Sequence, residues 1–495
     1  MNTQSYLATY AGIITAAANA YGAPVKLPAV EKPNILFIFA DDFSYEAIGA
    51  LGKTCVKTPN LDRLMNSGVL FTHAYNMGSW TPAVCAASRS MLNSGMMVNR
   101  CQEGLMKHPT WSELMHDGGY KTYFTGKWHV PKIKTPRFDV VRHVRPGMPN
   151  QTPEGYNRPK NEEDYKNGWK PWDKSKGGYW KGGTHWTVVV GNDAEDFLND
   201  AEKQDKPFFI YLAFNAAHDP RQSPKKYIDM YPLEKIKLPK NFEKENKYKD
   251  GMGCPARLRD ERLAPFPRTE YSIKVNRQEY YAAITFMDEQ VGRILDNLEK
   301  SGKADSTYII FTTDQGLSVG HHGLMGKQNF FDPAARVPFF IAGPGIPKGE
   351  KIDTPIYLQD AMPTVLQLAG INVPDWVEFK SILPLIEGKP TQHYTEIYGK
   401  YLHYQRMIQK GDYKLIAYPM IKQFLLFNMK KDPDEMNNLA DNPEYATLLA
   451  SMKNDLKELM KQMGDSLNLD NPEPPPTKKR HRKKKKTGIP KGSDA

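Results

Sequence analysis

The first place where this 495-residue chain offers chemistry is a cysteine four residues ahead of an arginine, in Cys85-Ala86-Ala87-Ser88-Arg89. A thiol-phosphatase loop would need an arginine six positions after the cysteine, and that position is Met91. Ala86 to Leu92 holds good helix formers, so Cys85 is expected at or just before a helix N-terminus. Unpaired N–H groups and the helix dipole favour negative charge there. Arg89, about one turn on, shares a face with residue 85 and carries a planar fork that fits a tetrahedral oxyanion. On its own, the segment also reads as a structural cysteine beside an arginine.

Two acidic pairs bear on the same chemistry. Asn34 to Ala40 is a continuous apolar run, the mark of a strand buried on both faces of a parallel sheet, and it ends in Asp41-Asp42. Tyr308 to Thr313 likewise ends in Asp314-Gln315-Gly316. Ligands of open α/β sheets gather beyond the carboxyl ends of strands, so both pairs point to one site. Three carboxylates and an amide oxygen make a hard, oxygen-only set suited to Ca²⁺, and less readily to Mg²⁺. Two more strand-like runs lead into Gly126-Lys127-Trp128-His129 and Asn215-Ala-Ala-His218-Asp219-Pro220. Then come His321-His322-Gly323, Lys327, Phe331-Asp332 and Arg336-Val337-Pro338. A lone imidazole or lysine is ordinarily structural or solvated. Repetition behind successive apolar strands is what marks a shared site.

These ordered motifs resemble those of type I sulfatases of the alkaline-phosphatase-like superfamily, over roughly residues 33 to 440. The signature (Cys or Ser, any residue, Pro or Ala, any residue, Arg) is met by Cys85 to Arg89 and continues through Ser94-Gly95. Asn93 and Met96 depart from the leucine and arginine common late in the signature. Gln315 stands where Asn or His is frequent, and Phe331-Asp332 where Tyr-Glu is. The resemblance implies an α/β fold, with a large, mostly parallel mixed sheet flanked by helices and a small C-terminal antiparallel α+β subdomain.

It also implies that a formylglycine-generating enzyme oxidises Cys85 to Cα-formylglycine, whose hydrate carries two geminal hydroxyls. One oxygen attacks sulfur and expels the alcohol. The second then loses its proton, and the aldehyde re-forms as sulfate leaves by C–O cleavage. By the same resemblance Ca²⁺ sits on Asp41, Asp42, Asp314, Gln315 and the modified residue 85. Arg89 holds the formylglycine hydroxyl, Lys127 and Lys327 the sulfate oxygens. His218 is the expected acid for the leaving alcohol and His129 the base that triggers sulfate release. His322 is expected to be structural.

Residues 146–186 are poor in aliphatics and rich in Gly, Pro, Lys and aromatics. So long an insertion in a compact domain calls for a role. Trp169, Trp172, Trp180 and Trp186, with His185, are the candidate substrate-binding residues, offering flat faces to sugar rings. Lys170, Lys174 and Lys181 are placed to meet further sulfates. Anchoring of a long loop is the competing reading. Asn241 to Pro267 is a second irregular stretch, expected to wall the cleft.

Periodic apolar residues predict a core helix over about 276–300 and another over about 443–463, the latter packing on strands that begin near residue 390. The expected units are a catalytic domain over 31–385, a C-terminal subdomain over 390–465 and a basic tail over 471–495. That tail holds eight Lys or Arg between Lys478 and Lys486, which dominate the net charge of +11. With a sulfated substrate, the tail reads as a salt-sensitive tether to a polyanion or anionic surface rather than as a nucleic-acid site. Residues 1–23 read as a secretory signal, so the expected location is periplasmic or extracellular. No run approaches the roughly 20 apolar residues of a membrane helix. With Cys85 converted, Cys55, Cys101 and Cys254 allow at most one disulfide.

The reading is of an exported sulfatase acting on a sulfated poly- or oligosaccharide, with a carrageenan-type galactan among the candidates. Two alternatives stand beside it: a phosphodiesterase or phosphonate monoester hydrolase of the same superfamily, and a non-catalytic glycan-binding relative.

Overall fold

A computed structural model describes residues 31–147, 152–391 and 393–473. The expected secretory signal and the Lys478 to Lys486 cluster lie outside the described residues. Among those described, nine strands make one sheet. Its order runs Ile356–Tyr357, Gly68–Tyr75, Arg336–Ala342, Thr307–Thr313, Asn34–Ala40, Phe208–Ala213, Lys121–Lys127, Val140–Arg145, with Glu350–Ile352 pairing beside Gly68–Tyr75. The five strands from Thr307–Thr313 to Val140–Arg145 are parallel. Arg336–Ala342 runs antiparallel to both its neighbours.

The continuous apolar runs have the expected cause. Every residue of Asn34–Ala40 and of Phe208–Ala213 is buried. Strand alternation sends Leu36 and Ile38 to one face, against the helices Trp186–Ala201 and Glu270–Lys300. Ile35, Phe37 and Phe39 face the opposite layer, with Trp111 and Tyr120. Each such side chain contributes about 1.5–3 kcal/mol on full burial, so these strands hold their C-terminal ends firmly.

A second sheet orders Gln423–Asn428, Tyr413–Tyr418, Gln405–Lys410 and Glu396–Tyr401 as an antiparallel set, closed by a parallel pairing to Gly78–Ser79. Those two residues lie between the large sheet and the helix Val84–Ser94, so the C-terminal sheet is hydrogen-bonded to the segment that leads to Cys85. Helix Ala446–Gln462 covers this sheet through Met452, Leu456, Leu459 and Met460.

The long core helix begins at Glu270, six residues before the expected start, capped by the Thr269 side chain on Ser272 N. Its early turns bury Asn276, Arg277 and Glu279, which have polar partners across the fold and so break the apolar period. All four cysteines are free, with Cys55 exposed and the others buried. Among the described residues, no helix is long and apolar enough to cross a membrane.

Candidate active site

The helix Val84–Ser94 is buried along its whole length, with Cys85 in its first turn. It stops at Gly95, whose φ of 71° and tight packing (a Cβ would lie 2.9 Å from Met362 Sδ) require glycine. Arg89 Nε donates to Asp314 Oδ2 at 2.9 Å, Nη1 to the Lys127 carbonyl at 2.6 Å and Nη2 to the Ala40 carbonyl at 3.4 Å. These three bonds fix the guanidinium against strand ends and leave one N–H on each of Nη1 and Nη2 for the group at residue 85.

Each strand end contributes in turn. Asp41 N donates to the Ala216 carbonyl and Phe43 N to the Gln315 carbonyl, both at 2.9 Å, while Tyr280 Oη donates to the Asp42 carbonyl at 2.8 Å. These bonds hold Asp42 in a left-handed conformation, φ 58°. Gly126, at φ 106°, lets its strand approach Phe208–Ala213; a Cβ there would sit 1.9 Å from the Ala213 carbonyl oxygen. Lys127 is thereby placed to bond Asp41 through Nζ. Lys327 Nζ bridges both Asp42 oxygens at 2.8 and 2.9 Å, and Gln315 Nε2 bonds Asp42 Oδ1.

Two sets of ligand atoms lie within 4.8 Å of one another: Asp41, Asp42 and His218, and Asp41, Cys85 and Asp314. Asp41 Oδ1 and Gln315 Oε1 are buried and meet no hydrogen-bond donor. Orphaned acceptor oxygens beside three carboxylates fit a hard divalent cation. Burial, then the Asp314 charge, pushes the Asp41 carboxyl up to about 6 against the pull of Lys127. Burial also takes Asp42 to about 6, with Lys327 opposing. Asp41, Asp42 and Asp314 balance Arg89, Lys127 and Lys327, so a dication would leave the centre positive toward an anionic ester.

His129 Nδ1 lies 3.2 Å from Cys85 Sγ, and burial, followed by Lys127 and Arg89, holds the ring down to about 3. His218 Nδ1 lies 2.5 Å from the Asp219 carbonyl oxygen, while its Nε2 meets Arg259 Nη2 at 3.2 Å and Asp42 Oδ2 at 3.8 Å. An Nε2 that accepts from a guanidinium belongs to the neutral ring. Burial, Lys327 and Lys127 keep His218 well below its ordinary value. Every expected catalytic and metal residue therefore converges on one centre.

The insertion is different. Trp186 is fully buried, at 0% exposure, with its ring 4.9 Å from that of Trp180. Trp169 is buried and donates Nε1–H to Glu279 Oε1 at 2.8 Å. Trp172 and Trp180 are half-buried against the core. His185 caps the helix Trp186–Ala201 through Nδ1 and bonds the Gln222 carbonyl through Nε2. The face expected to stack on sugars is closed for Trp186, whose ring fills the core between the insertion and the long helix; Trp169 is tied to that helix through Glu279 and covered by Lys176 at 4.8 Å, so both anchor the loop. The insertion still adjoins the site, with Gly155 against Pro220 and Gly178 against Gln222. His322, stacked on Phe331 at 3.8 Å and bonded to Asn241, is structural.

Arg259 and Asp260 were not among the expected site residues. They sit in the irregular 241–267 stretch, where no periodic pattern marks them. Asn215 was missed too, although both its amide atoms are buried, unpartnered and three residues from His218.

The family described as Sulfatase matches residues 33–371, and one described as N-sulphoglucosamine sulphohydrolase, C-terminal, matches 320–462. An arylsulfatase of Clostridium perfringens is 28% identical over 458 residues, 84% of this chain and 91% of the relative. A ulvan-active sulfatase of Formosa agariphila is 28% identical over 467 residues, 88% of this chain and 82% of the relative. A solved structure in complex with its substrate D-glucosamine-2-N,6-O-disulfate superposes with a TM-score of 0.72 at 24% identity, covering 89% of this chain and all of the other.

Proposed function

Because this chain belongs to the sulfatase family and is a sulfuric ester hydrolase, we propose that it cleaves sulfate from a sulfated carbohydrate with an oxygen nucleophile made from Cys85. The observation that carries this reading is the thiol's setting. A cysteine acting as itself needs a lowered pKa. Burial instead pushes Cys85 up, and Lys127 and Lys327 only partly offset it. A protonated thiol within 4.8 Å of Asp41 and Asp314 is a poor nucleophile but a fitting precursor of formylglycine. The hydrate of that residue supplies both an attacking oxygen and a way to release sulfate.

Asp41, Asp42, Asp314 and Gln315 would hold Ca²⁺, which when bound polarises the sulfate. Lys127 and Lys327 neutralise the sulfate oxygens in a dry site. Arg89 aligns Asp314 and the Lys127 backbone. His129, neutral and beside residue 85, is placed to take a proton from it. His218 becomes an acid only after gaining a proton, and an incoming anion that offsets Lys127 and Lys327 favours that gain.

The carbohydrate class is supported by relatives described as ulvan-active and by the disulfated glucosamine of the structural neighbour. Export to the periplasm or beyond is part of the same proposal. The test is a sulfate-release screen over defined carrageenan, ulvan and sulfated glucosamine oligosaccharides, beside phosphodiester and phosphonate ester probes. The protein is co-expressed with a formylglycine-generating enzyme. Dominant glycan desulfation is expected; dominant phosphodiester or phosphonate turnover would overturn the reading.

A further inference from the structure

Arg259 connects the buried centre to solvent. Its Nη2 is 3.2 Å from His218 Nε2, yet its side chain is 49% exposed. Asp260 steadies it through Nε at 2.8 Å and Nη2 at 2.7 Å. Arg259 caps the 3-10 turn Asp260–Leu263, and Arg262 N bonds back to the Arg259 carbonyl at 3.2 Å. Side chains three apart eclipse in such a turn, about 6 Å along its axis. Arg262 therefore extends the line that starts at His218.

Arg262 opens onto a groove of about 430 Å³, whose walls include Tyr156, Asn157, Lys160, Pro265 and Phe266. Tyr156 joins the two regions. Burial and then the Asp219 carboxylate raise its phenol's pKa, while Arg259 opposes them, so it lies in the field of the groups that flank His218. Arg262 and Lys160 are exposed, and among the described residues neither side chain is recorded pairing with a carboxylate. Two irregular segments, 152–186 and 241–267, thus meet beside the catalytic centre and present unneutralised cations along one path. Unpaired cations in a concave groove that also has the apolar walls Tyr156, Pro265 and Phe266 suit an anionic substituent carried on a sugar ring.

We propose that this groove is a specificity subsite, in which Arg262 and Lys160 hold a second anionic substituent, sulfate or carboxylate, on the sugar next to the one being desulfated. The proposal rests on the carbohydrate reading above. It assigns selectivity to cations on the 3-10 turn and the Tyr156–Lys160 segment, whereas Trp169 and Trp186 anchor the insertion.

The test compares the wild-type protein with Lys160→Ala/Arg262→Ala on a carrageenan tetrasaccharide (sulfates alone), a ulvan tetrasaccharide (sulfate beside uronate) and 4-nitrophenyl sulfate. On the tetrasaccharide that the wild type prefers, kcat/KM relative to that on 4-nitrophenyl sulfate should fall about tenfold, chiefly through KM. The difference should shrink as salt rises. The preferred tetrasaccharide identifies the anion as sulfate or uronate. If the wild type desulfates a tetrasaccharide and the ratio stays within about twofold, the subsite is refuted and the carbohydrate reading stands. If the wild type turns over 4-nitrophenyl sulfate but neither tetrasaccharide nor a sulfated glucosamine oligosaccharide, both fall together.

Discussion

Arg89 Nε and Asp314 Oδ2 meet at 2.9 Å with both side chains sealed from solvent, and this one contact ties the helix of Cys85 to the strand end that carries the third carboxylate. A buried pair of this kind is costly to break singly, because the remaining charge is left without a partner. Arg89→Ala should destabilise the protein by about 3–5 kcal/mol and abolish turnover. Urea unfolding measures the first effect, and a midpoint equal to wild type would show the pair to be dispensable.

Cation removal should act on both activity and stability. The buried oxygens Asp41 Oδ1 and Gln315 Oε1, which accept no hydrogen bond, offer ligands to a dication. EGTA or EDTA treatment should abolish sulfate release and lower Tm, and Ca²⁺ should restore both, since a ligand that binds only the native state stabilises it. Asp314→Asn should blunt the Ca²⁺-dependent rise in Tm. An unchanged Tm with and without Ca²⁺ would count against the oxygen site.

His218 as acid makes a prediction about leaving groups. A sugar alkoxide needs a proton and 4-nitrophenolate does not. His218→Ala should therefore cost about 10²–10⁴ in kcat on a sugar sulfate and far less on 4-nitrophenyl sulfate. Equal losses on both substrates would assign His218 to positioning.

Glu435 should shape the pH dependence of stability. It accepts from Lys414 Nζ at 2.9 Å and from Asp332 N at 2.7 Å, bridging the C-terminal sheet to the segment after Lys327. Burial lifts it from an ordinary 4.5 to about 7 despite Lys414. The native state thus binds more protons than the unfolded chain between those values. The stabilisation is full below 4.5 and is lost as pH rises through 7. Glu435→Gln should flatten Tm against pH across that window; a profile parallel to wild type would contradict the shift.

Trp186 is the place where residue type and role part company. Its ring lies wholly in the core, so Trp186→Ala should cost about 3–5 kcal/mol with KM little changed in whatever folded protein remains. A raised KM with wild-type stability would return it to the substrate.

Much of the catalytic centre was legible because several of its residues follow an apolar strand: Asp41 after Ala40, Asp314 after Thr313, His218 shortly after Ala213. A strand's end is readable from its run, and a parallel sheet brings such ends together. The direction in which an aromatic faces is not readable in an irregular segment, which is why sugar stacking and loop anchoring stood as alternatives for Trp169 and Trp186, both of which lie inside. Arg259 had no period to announce it, and the two-residue strand Gly78–Ser79 is too short to leave a pattern. The first turns of the long helix were hidden because Asn276, Arg277 and Glu279 are polar yet buried.

The identity of residue 85 decides the mechanism. Mass spectrometry of the peptide containing it, taken from protein of known specific activity, should show an aldehyde in a fraction that rises in step with sulfate release, and Cys85→Ala should fold normally and release none. Full activity from protein carrying only the free Cys85 thiol would contradict the oxygen nucleophile outright.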